Sequence, residues 1–382
     1  TYNHTLGPEP QTLHPARVYS EDYATFLGAG NYATDFAAGT APGDMFGDGR
    51  DGPMPTNGTL DNANGSAFGV VNGMAGSTSV VVSDAYGVWR INAGDVVLIH
   101  QTQGVGAGNW ELNKAVSDFV GSGTYTLQYP LHYTYYSAGS QIIRVPQYST
   151  CNVTGTVMPQ TPWNGTWGGI IAVMCNESLN ISGTIDASGY GFRGGERRTE
   201  NTPQNRGHTG EGYLGFYNYL EADCWSNNNS KGNGGGSGHG WVIGWGTERY
   251  SSGGGGGSNQ MAGGGGSCST LNDRCWCAGG GASAIGSTNM STVFLGGGGG
   301  GGGAGYEGWE DGRAGGDGGG YIFLSARDII FTGNVRSNGT PGEAVFGSYE
   351  HTGAGGGGGA GGAVYLRGSS ISLGSGSVSA VG

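Results

Sequence analysis

Six carboxylates in the middle of the chain are the residues whose type and spacing could support hydrolysis. They are Asp186, Glu196, Glu200, Glu211, Glu221 and Asp223. A glycoside hydrolase needs two carboxyl groups at a fixed separation, one as the acid and one as the nucleophile or base. The sequence alone cannot place any two of these six at such a separation, and we expect them to be solvated charges on loops. We expect Arg193, Arg197 and Arg198 to pair with carboxylates or to cap backbone carbonyls.

Other catalytic patterns are absent from the sequence. The histidines are dispersed without an H-x-x-x-H pair, and no G-x-S-x-G nucleophile elbow occurs. G-x-G-x-x-G appears only inside glycine runs, without a following lysine or a helical period, so it does not indicate a phosphate loop. The sequence therefore predicts that the protein is not an enzyme. The histidines are His4, His14, His100, His132, His208, His239 and His351.

The segment PGDMFGDGRDGP could bind calcium. Asp44, Asp48 and Asp51 supply carboxylates at short spacing, and glycines permit the turns between them. The terminal glutamate of an EF-hand is missing, so turn-forming Asp-Gly pairs are the favoured interpretation. Calcium is a possible cofactor, and the sequence indicates no other.

The six cysteines predict disulfides. Cys151 and Cys175 flank a strand-like stretch, and a bridge between them would suit neighbouring rungs of a repeat structure. A second set allows three pairings. Zinc is the competing interpretation, but this set has no C-x2-C pair and no histidine nearby in sequence, so disulfides are favoured. The second set is Cys224, Cys268, Cys275 and Cys277.

Ten Asn-X-Ser/Thr triplets predict N-linked glycans. Together with the even number of cysteines, they indicate an extracellular protein. The chain begins at Thr1 without a charged and apolar leader, which favours a mature chain whose signal peptide has been removed. The asparagines are Asn3, Asn57, Asn64, Asn152, Asn164, Asn176, Asn180, Asn228, Asn289 and Asn338.

Composition excludes several classes of protein. The net charge of −12 and the scattered Lys and Arg residues argue against nucleic-acid binding. No apolar run reaches the roughly 18–20 residues of a membrane span. The 87 glycines greatly exceed the roughly 27 of average usage, yet 9 Trp, 20 Tyr, 11 Phe and only 12% charged residues are the reverse of a disordered composition. We expect an ordered chain.

Three regions follow one another along the chain, and we predict an all-β fold. Residues 1–46 form an aromatic arm without regular periodicity, which needs a surface on its own domain or on a neighbouring subunit. Residues 47–160 contain short, evenly spaced strands, typical of a sandwich or barrel-like module. Residues 161–382 form a glycine-rich repeat region with a β-solenoid-like framework.

Three copies of one unit define that framework. Each has a glycine pair, an apolar strand, a polar break and a second strand. We expect the copies to stack as rungs. The copies are GGIIAVMCNESLNISGTIDASG, GGYIFLSARDIIFTGNVRSNG and GGAVYLRGSSISLGSGSVSAVG.

Most of the glycine runs lie in excursions between these copies, and the longest is Gly296–Gly303. A polyproline-II helix has three residues per turn and no internal hydrogen bonds, so its backbone groups need partners on adjacent chains. Only glycine lets such chains approach one another on every side. We therefore predict a bundle of packed polyglycine rods, in preference to flexible loops.

The segments GDVVLIHQTQGVGAGNWEL, VPQY, WNGTWGGIIAV, SGTIDASGYGFRGG and AGGDGGGYIFLSA resemble a loosely defined class of secreted, glycine-rich prokaryotic surface and matrix proteins. The resemblance implies an exported component with a strand module, a GFRGG motif and polyglycine repeats. It implies location and architecture more than activity.

The leading functional hypothesis is a structural subunit of a self-assembling extracellular filament, sheath or surface layer, with further copies of itself as partners. An adhesin or carbohydrate-binding tip protein, displaying aromatic loops on the polyglycine bundle, is the alternative. A β-helix polysaccharide-degrading enzyme is a third hypothesis, which would require two of the carboxylates above to lie close together.

Overall fold

The named elements of the structure, a computed structural model, are all strands, and among the described residues only Met45 and Phe46 have helical backbone. The strands are numbered in chain order. The structure describes residues 16–20, 45–60, 68–83, 90–197, 207–215, 232–238, 240–243, 248–251, 253–266, 278–287, 290–303, 312–344 and 354–382. The strands are β1 Ala16–Ser20, β2 Gly58–Leu60, β3 Phe68–Asn72, β4 Ser79–Ser83, β5 Arg90–Ile91, β6 Val96–Gln101, β7 Trp110–Lys114, β8 Phe119–Val120, β9 Gly123–Thr126, β10 Ser140–Val145, β11 Gln147–Tyr148, β12 Cys151–Val153, β13 Thr156–Pro159, β14 Ile170–Ile181, β15 Thr184–Asp186, β16 Gly240–Ile243, β17 Glu248–Ser251, β18 Tyr321–Phe331, β19 Asn334–Arg336, β20 Ala363–Gly368, β21 Ser370–Ser372 and β22 Ser377–Ser379.

Two parallel sheets form the framework, as the repeat predicts. One sheet has the order β1-β20-β18-β14-β11, with β12 and β21 attached to β14 and β18. The other has the order β2-β13-β15-β19-β22. Ile170, Tyr321 and Ala363 are paired across the first sheet. The three predicted copies are therefore successive rungs in one register.

A further rung precedes these three copies. β12 pairs with β14 and β13 pairs with β15, while β2 covers the outer edge of β13. Residues 147–160, which the sequence groups with the preceding module, thus contribute their strands to the framework sheets.

The first half of β14 is buried on both faces because it separates two cores. Ile171 and Val173 belong to the core between the two framework sheets. Ile170 and Ala172 face the opposite core, which contains Trp110 of the antiparallel module. Burial on both faces explains the continuous apolar run at the start of each repeat copy.

The barrel-like module is an antiparallel sheet with the order β7-β6-β10-β3-β4-β9. Val71, Val80 and Ile99 lie in its own core. Val96, Leu98 and Leu112 pack instead into the core shared with the framework. The module therefore packs directly on the framework sheet.

The part of the arm that the structure describes lies against the framework. β1 pairs in parallel with β20, from Ala16 opposite Val364 to Ser20 opposite Gly368. The carbonyl of Met45 accepts hydrogen bonds from Ser325 Oγ at 2.7 Å and from Arg367 at 2.6 Å. The rest of the arm lies outside the described residues.

Candidate functional site: the polyglycine bundle and the sheet edges

The longest glycine run, Gly296–Gly303, is the central rod of a packed bundle. Its N–H groups donate to three adjacent segments, and its carbonyls accept from three others. A rod with six neighbours is the arrangement of a hexagonal lattice. The segments that accept are 207–211, 253–258 and 312–319, and those that donate are 191–196, 233–238 and 354–361.

The hydrogen bonds of the central rod repeat every three residues. Gly297 and Gly300 donate to Ser258 and Gly255 at 3.1 and 2.9 Å. The next two faces follow the same period, with Gly298 and Gly301 on one and Gly299 and Gly302 on the other. Three residues per turn is the period of a polyproline-II helix, and none of these glycines has positive φ. The structure thus has the packed rods that the sequence predicts.

Glycine is required in this rod because each rod is in backbone contact with its neighbours. A Cβ added at Gly298, Gly299 or Gly300 would overlap a carbonyl oxygen of an adjacent rod. Gly264, in the rod 262–266, is different, because an added Cβ there would have no atom within 4 Å. Inside the bundle there is therefore no space for a side chain, whereas at its rim there is.

Glu211 joins the bundle to the module and the framework. Its side chain is buried, and it accepts hydrogen bonds from Arg193 Nε at 2.9 Å, Trp163 Nε1 at 3.1 Å and Gln103 Nε2 at 2.9 Å. Arg193 comes from the GFRGG motif, so the expectation that it pairs with a carboxylate is confirmed. Arg193 balances the charge of this carboxylate, and three side chains donate hydrogen bonds to it, which is a structural role.

The other predicted carboxylates do not form a pair with Glu211 in the described part of the chain. Asp186 accepts a hydrogen bond from the Ser188 amide at 2.9 Å, which is a local turn. Glu196 is exposed. Glu200, Glu221, Asp223 and Arg198 lie outside the described residues, whereas Arg197 is described and exposed.

The segment considered as a candidate calcium loop contains a cluster of ion pairs. Asp48 binds Arg50, with 2.8 Å between Oδ2 and Nε, and Asp51 binds Arg144. Partial burial opposes ionisation of Asp48, but the hydrogen bonds and charge of Arg50 outweigh it and hold the pKa of this carboxyl below its usual value. Arginine charges thus occupy the oxygens that calcium would need. Asp44 lies outside the described residues.

Arg144 was not anticipated from the sequence. It is buried, and its Nε donates to Asp95 Oδ2 at 2.7 Å. Asp51 also accepts from the amide of Gln147 at 2.7 Å, so the cluster joins the module to the first rung of the framework. Sequence reasoning could not find it, because Asp51, Asp95 and Arg144 are far apart in the chain. Across the described ranges, no group of three or more His, Cys, Asp or Glu residues could hold a metal ion.

Cys151 and Cys175 form a disulfide between β12 and β14, with 6.2 Å between their Cα atoms. The predicted bridge between neighbouring rungs is confirmed. The remaining predicted disulfide cysteines, Cys224, Cys268, Cys275 and Cys277, lie outside the described residues.

Six of the ten predicted glycosylation sites are described, and all six are at least partly accessible. Asn57, Asn152 and Asn164 are exposed, and Asn176, Asn180 and Asn338 are half-buried. Asn152 and Asn180 are neighbours in register on β12 and β14, and Asn180 Nδ2 donates to Asn152 Oδ1 at 3.0 Å. The other predicted sites, Asn3, Asn64, Asn228 and Asn289, lie outside the described residues.

His100 is a buried structural residue. Its Nε2 lies 2.9 Å from the carbonyl of Val293 and its Nδ1 lies 2.8 Å from Thr102 Oγ1. A carbonyl can only accept, so Nε2 carries the proton and Nδ1 accepts from the hydroxyl. Burial lowers the pKa of His100 to about 4, although the bond to Val293 acts in the opposite direction. The ring is therefore neutral and connects the module to the segment before the central rod.

The ends of the framework sheets are candidate assembly surfaces. β1 is the last strand of one sheet, beside β20, and β22 is the last strand of the other. In the part of the chain that the structure covers, neither strand has a partner on its outer side. An unpaired parallel edge is a template for another chain. None of the described residues forms a helix long and apolar enough to cross a membrane.

Comparison with known proteins identifies no relative that bears on function. No protein-family description matches this sequence, and no curated protein is significantly similar to it. Part of the chain resembles the tailspike protein gp49 from Pseudomonas phage LKA1, with 17% identity and a TM-score of 0.17. The similarity covers 32% of this chain and 21% of the tailspike chain. At that TM-score it carries no argument about fold or function.

Proposed function

We propose that this chain is a structural subunit of a self-assembling extracellular filament, sheath or surface layer, and that its arm connects neighbouring copies. The observation that carries the proposal is the position of β1, an edge strand from the arm whose one partner among the described strands is β20. In a polymer, the arm of one copy takes the same place beside β20 of the next copy. Strand exchange of this kind connects subunits by main-chain hydrogen bonds without creating a new interface.

Several features support a structural role outside the cell. The disulfide between Cys151 and Cys175 is typical of an oxidising compartment. The exposed Asn57, Asn152 and Asn164 are accessible to glycan attachment. Glu211, one of the six carboxylates considered for hydrolysis, is saturated by structural donors. The resemblance to glycine-rich prokaryotic surface proteins points to the same location.

Electron microscopy of the full chain and of a variant lacking residues 1–46 tests the proposal. We expect the full chain to form filaments or sheets, and the variant to stay monomeric with an intact framework. A polymer that persists after the deletion would contradict the role of the arm.

Cross-linking tests whether the arm crosses between copies. Ser20 lies opposite Gly368 at the end of the β1–β20 pair, and Ser369 beside it is exposed. One variant carries Ser20→Cys and another carries Ser369→Cys, and the two are mixed before assembly and treated with a short thiol cross-linker. We expect a dimer that contains one copy of each variant. Each variant assembled alone is the control, and cross-linking confined to a single chain carrying both cysteines would contradict exchange.

A second candidate function is an adhesin or carbohydrate-binding tip protein. The hairpin of β16 and β17 pairs only with itself among the described strands, and it places Trp241 opposite Tyr250. Aromatic rings are common contacts for sugars. Binding of the monomer to a glycan array, lost in a variant with both aromatic residues replaced by alanine, would favour this function over the filament subunit.

A further inference from the structure

A groove runs along the rim of the polyglycine bundle. It has a volume of about 720 Å³ and is lined by the rods 253–258, 262–266 and 354–361, with residues 380–382 also contributing to its wall. Its walls are mostly glycine backbone. Met261 and Val381 are also among its lining residues, and they are 67% and 41% exposed.

The rod 253–258 has five neighbouring rods, whereas the central rod has six. All three of its N–H faces are used, and two of its three carbonyl faces accept from other rods. The carbonyls of Gly254 and Gly257, three residues apart on the third face, accept from no described group. Both residues line the groove, so the groove occupies the sixth lattice place. The five neighbours are 233–238, 262–266, 278–282, 296–303 and 354–361.

The rod 354–361 presents donors to the same groove. Its residues Ala354, Gly357 and Ala360 donate to the central rod, and Gly356 and Gly359 donate to Glu343 and Thr340. The N–H groups of the remaining face, Gly355, Gly358 and Gly361, have no acceptor among the described residues, and all three residues line the groove. The groove thus offers N–H donors along the rod 354–361 and carbonyl acceptors along the rod 253–258, and on each rod these groups recur every three residues.

The position of the groove relative to the sheet identifies the segment that can reach it. Around the rod 354–361, the rods 312–319, 296–303 and 253–258 follow one another, because each is hydrogen-bonded to the next. The groove comes next, so in a six-fold arrangement it lies opposite 312–319. The rod 354–361 leads directly into β20, and the rod 312–319 leads directly into β18. These two strands are neighbours in the sheet. β1 lies on the other side of β20, opposite β18. β1 therefore lies on the same side of this row as the groove, and it begins at Ala16, opposite Val364.

We propose that this groove is the binding site for residues 1–15 of the arm, which occupy the vacant lattice place as a polyproline-II rod. The segment contains Pro8, Pro10 and Pro15, and proline fixes φ close to the value of that helix. Its carbonyls accept from Gly355, Gly358 and Gly361. Its non-proline amides donate to Gly254 and Gly257.

The dimensions fit a short rod. At about 3.1 Å per residue, the distance from Gly355 to Gly361 is about 19 Å, which accommodates six or seven residues. The open side of the groove leaves room for side chains on the outer face of the rod. The inference is independent of filament formation, because it concerns the arm of an isolated chain. In a polymer with exchanged arms, the same segment would occupy the groove of the next copy.

Hydrogen exchange of the monomeric full chain and of a variant lacking residues 1–15 tests the proposal. We expect peptides covering residues 354–361 to exchange at least about tenfold faster in the variant, because the amides of Gly355, Gly358 and Gly361 lose their acceptors. Peptides covering the central rod 296–303 are the internal control and should stay protected. A synthetic peptide of residues 1–15 should restore the protection. Equal exchange of 354–361 in the two proteins would overturn the proposal.

A side chain added at Gly358, which lines the groove, gives an independent test. The atom nearest to a Cβ added at Gly358 is the Thr340 carbonyl oxygen at 3.8 Å, so the bundle tolerates a side chain there. We expect Gly358→Leu to displace residues 1–15 and make them sensitive to protease, whereas Gly358→Ala, which adds only the Cβ, should leave them protected. Equal digestion of wild type and both variants would contradict the proposal. A second result would also contradict the proposal, namely that residues 354–361 stay protected from hydrogen exchange in the variant lacking residues 1–15 but lose this protection on dilution. The occupant of the groove would then come from a second copy.

Discussion

At the scale of single residues, the glycines of the central rod are required by contact rather than by an unusual backbone conformation. None of residues 296–303 has positive φ, so alanine could adopt the same backbone. The restriction comes from the neighbouring rods, whose carbonyl oxygens occupy the space of each Cβ from Gly296 to Gly302. The cost of a side chain therefore depends on the position of a glycine in the bundle and not on the length of its run.

Alanine substitutions at Gly299 and Gly264 separate these two situations. At Gly299 a Cβ would overlap the carbonyl oxygen of Gly357, and we expect Gly299→Ala to lower the free energy of unfolding by about 3 kcal/mol or more. At Gly264 there is no atom within 4 Å of the added Cβ. Gly264→Ala should leave stability unchanged or raise it by up to about 1 kcal/mol, because it restricts the unfolded chain. Urea denaturation of both variants measures the difference, and equal losses would show that the bundle is not packed.

His100 makes stability depend on pH. Its pKa in the folded protein is about 4, below the ordinary value of 6.5, because the ring is buried. Between these values the unfolded chain takes up a proton that the folded chain does not, so stability falls as the pH is lowered from 6.5 to 4. The loss from this residue approaches about 3 kcal/mol at the lower limit.

The measurement is the free energy of unfolding at pH 7 and pH 4.5 for wild type and His100→Gln. Glutamine retains a donor and an acceptor but does not titrate, so the variant should lose less stability on acidification. Burial raises the pKa of Glu111, so this residue makes the folded protein more stable as the pH is lowered, which opposes the effect of His100. The contribution of Glu111 is the same in both proteins and cancels in the comparison. The same pH dependence in both would show that His100 does not titrate as described.

At the scale of elements, the disulfide links β12 of the first rung to β14 of the second rung. Cys151 and Cys175 are 24 residues apart, and closing a loop of this length in the unfolded chain is worth about 3 kcal/mol. We expect urea denaturation of the double variant Cys151→Ala, Cys175→Ala to give a free energy of unfolding lower than that of wild type by about that amount. Wild type under reducing conditions should lose at least as much, because the second set of cysteines is also predicted to be disulfide-bonded. A double variant as stable as the oxidised wild type would show that β12 and β14 do not need the bridge.

The sequence predicts the elements of the repeat better than their partners. The glycine pairs ending at Gly169, Gly320 and Gly362 mark the start of three rungs, because the strand after each pair is buried on both faces and reads as an apolar run. The rung of β12 and β13 lacks this signal, because its strands are only three and four residues long. The glycine runs predict rods with three residues per turn, but they do not predict which rods are neighbours.

The same limit applies to the polar residues. Pairing of Arg193 with a carboxylate can be expected from their types, but the identity of Glu211 as the partner depends on how the excursion folds back. The ion pairs of Arg144 with Asp51 and Asp95 depend on the packing of the module on the framework. Long-range contacts of this kind have no local pattern, which is why an interpretation of Asp48 and Asp51 as a calcium loop was possible.

At the scale of the whole molecule, Glu211 is a side chain that contacts all three parts. Gln103 belongs to the module, Trp163 precedes the second rung of the framework, and Arg193 begins the bundle. The rods have no side chains of their own to bury, so the bundle depends on such connections at its base. Loss of Glu211 should therefore affect regions that it does not touch.

We expect Glu211→Ala to lower the free energy of unfolding by about 2–4 kcal/mol, because the buried Trp163 and Gln103 donors lose their acceptor. The half-exposed Arg193 contributes less, since water can solvate it. Glu196→Ala is the matched control, because this carboxylate lies in the same excursion but is exposed, and it should change stability by no more than about 0.5 kcal/mol. Hydrogen exchange of Glu211→Ala should be faster in the central rod and in the strands of the module near Gln103 alike. Faster exchange limited to residues 207–215 would show that the parts of the molecule unfold independently of this carboxylate.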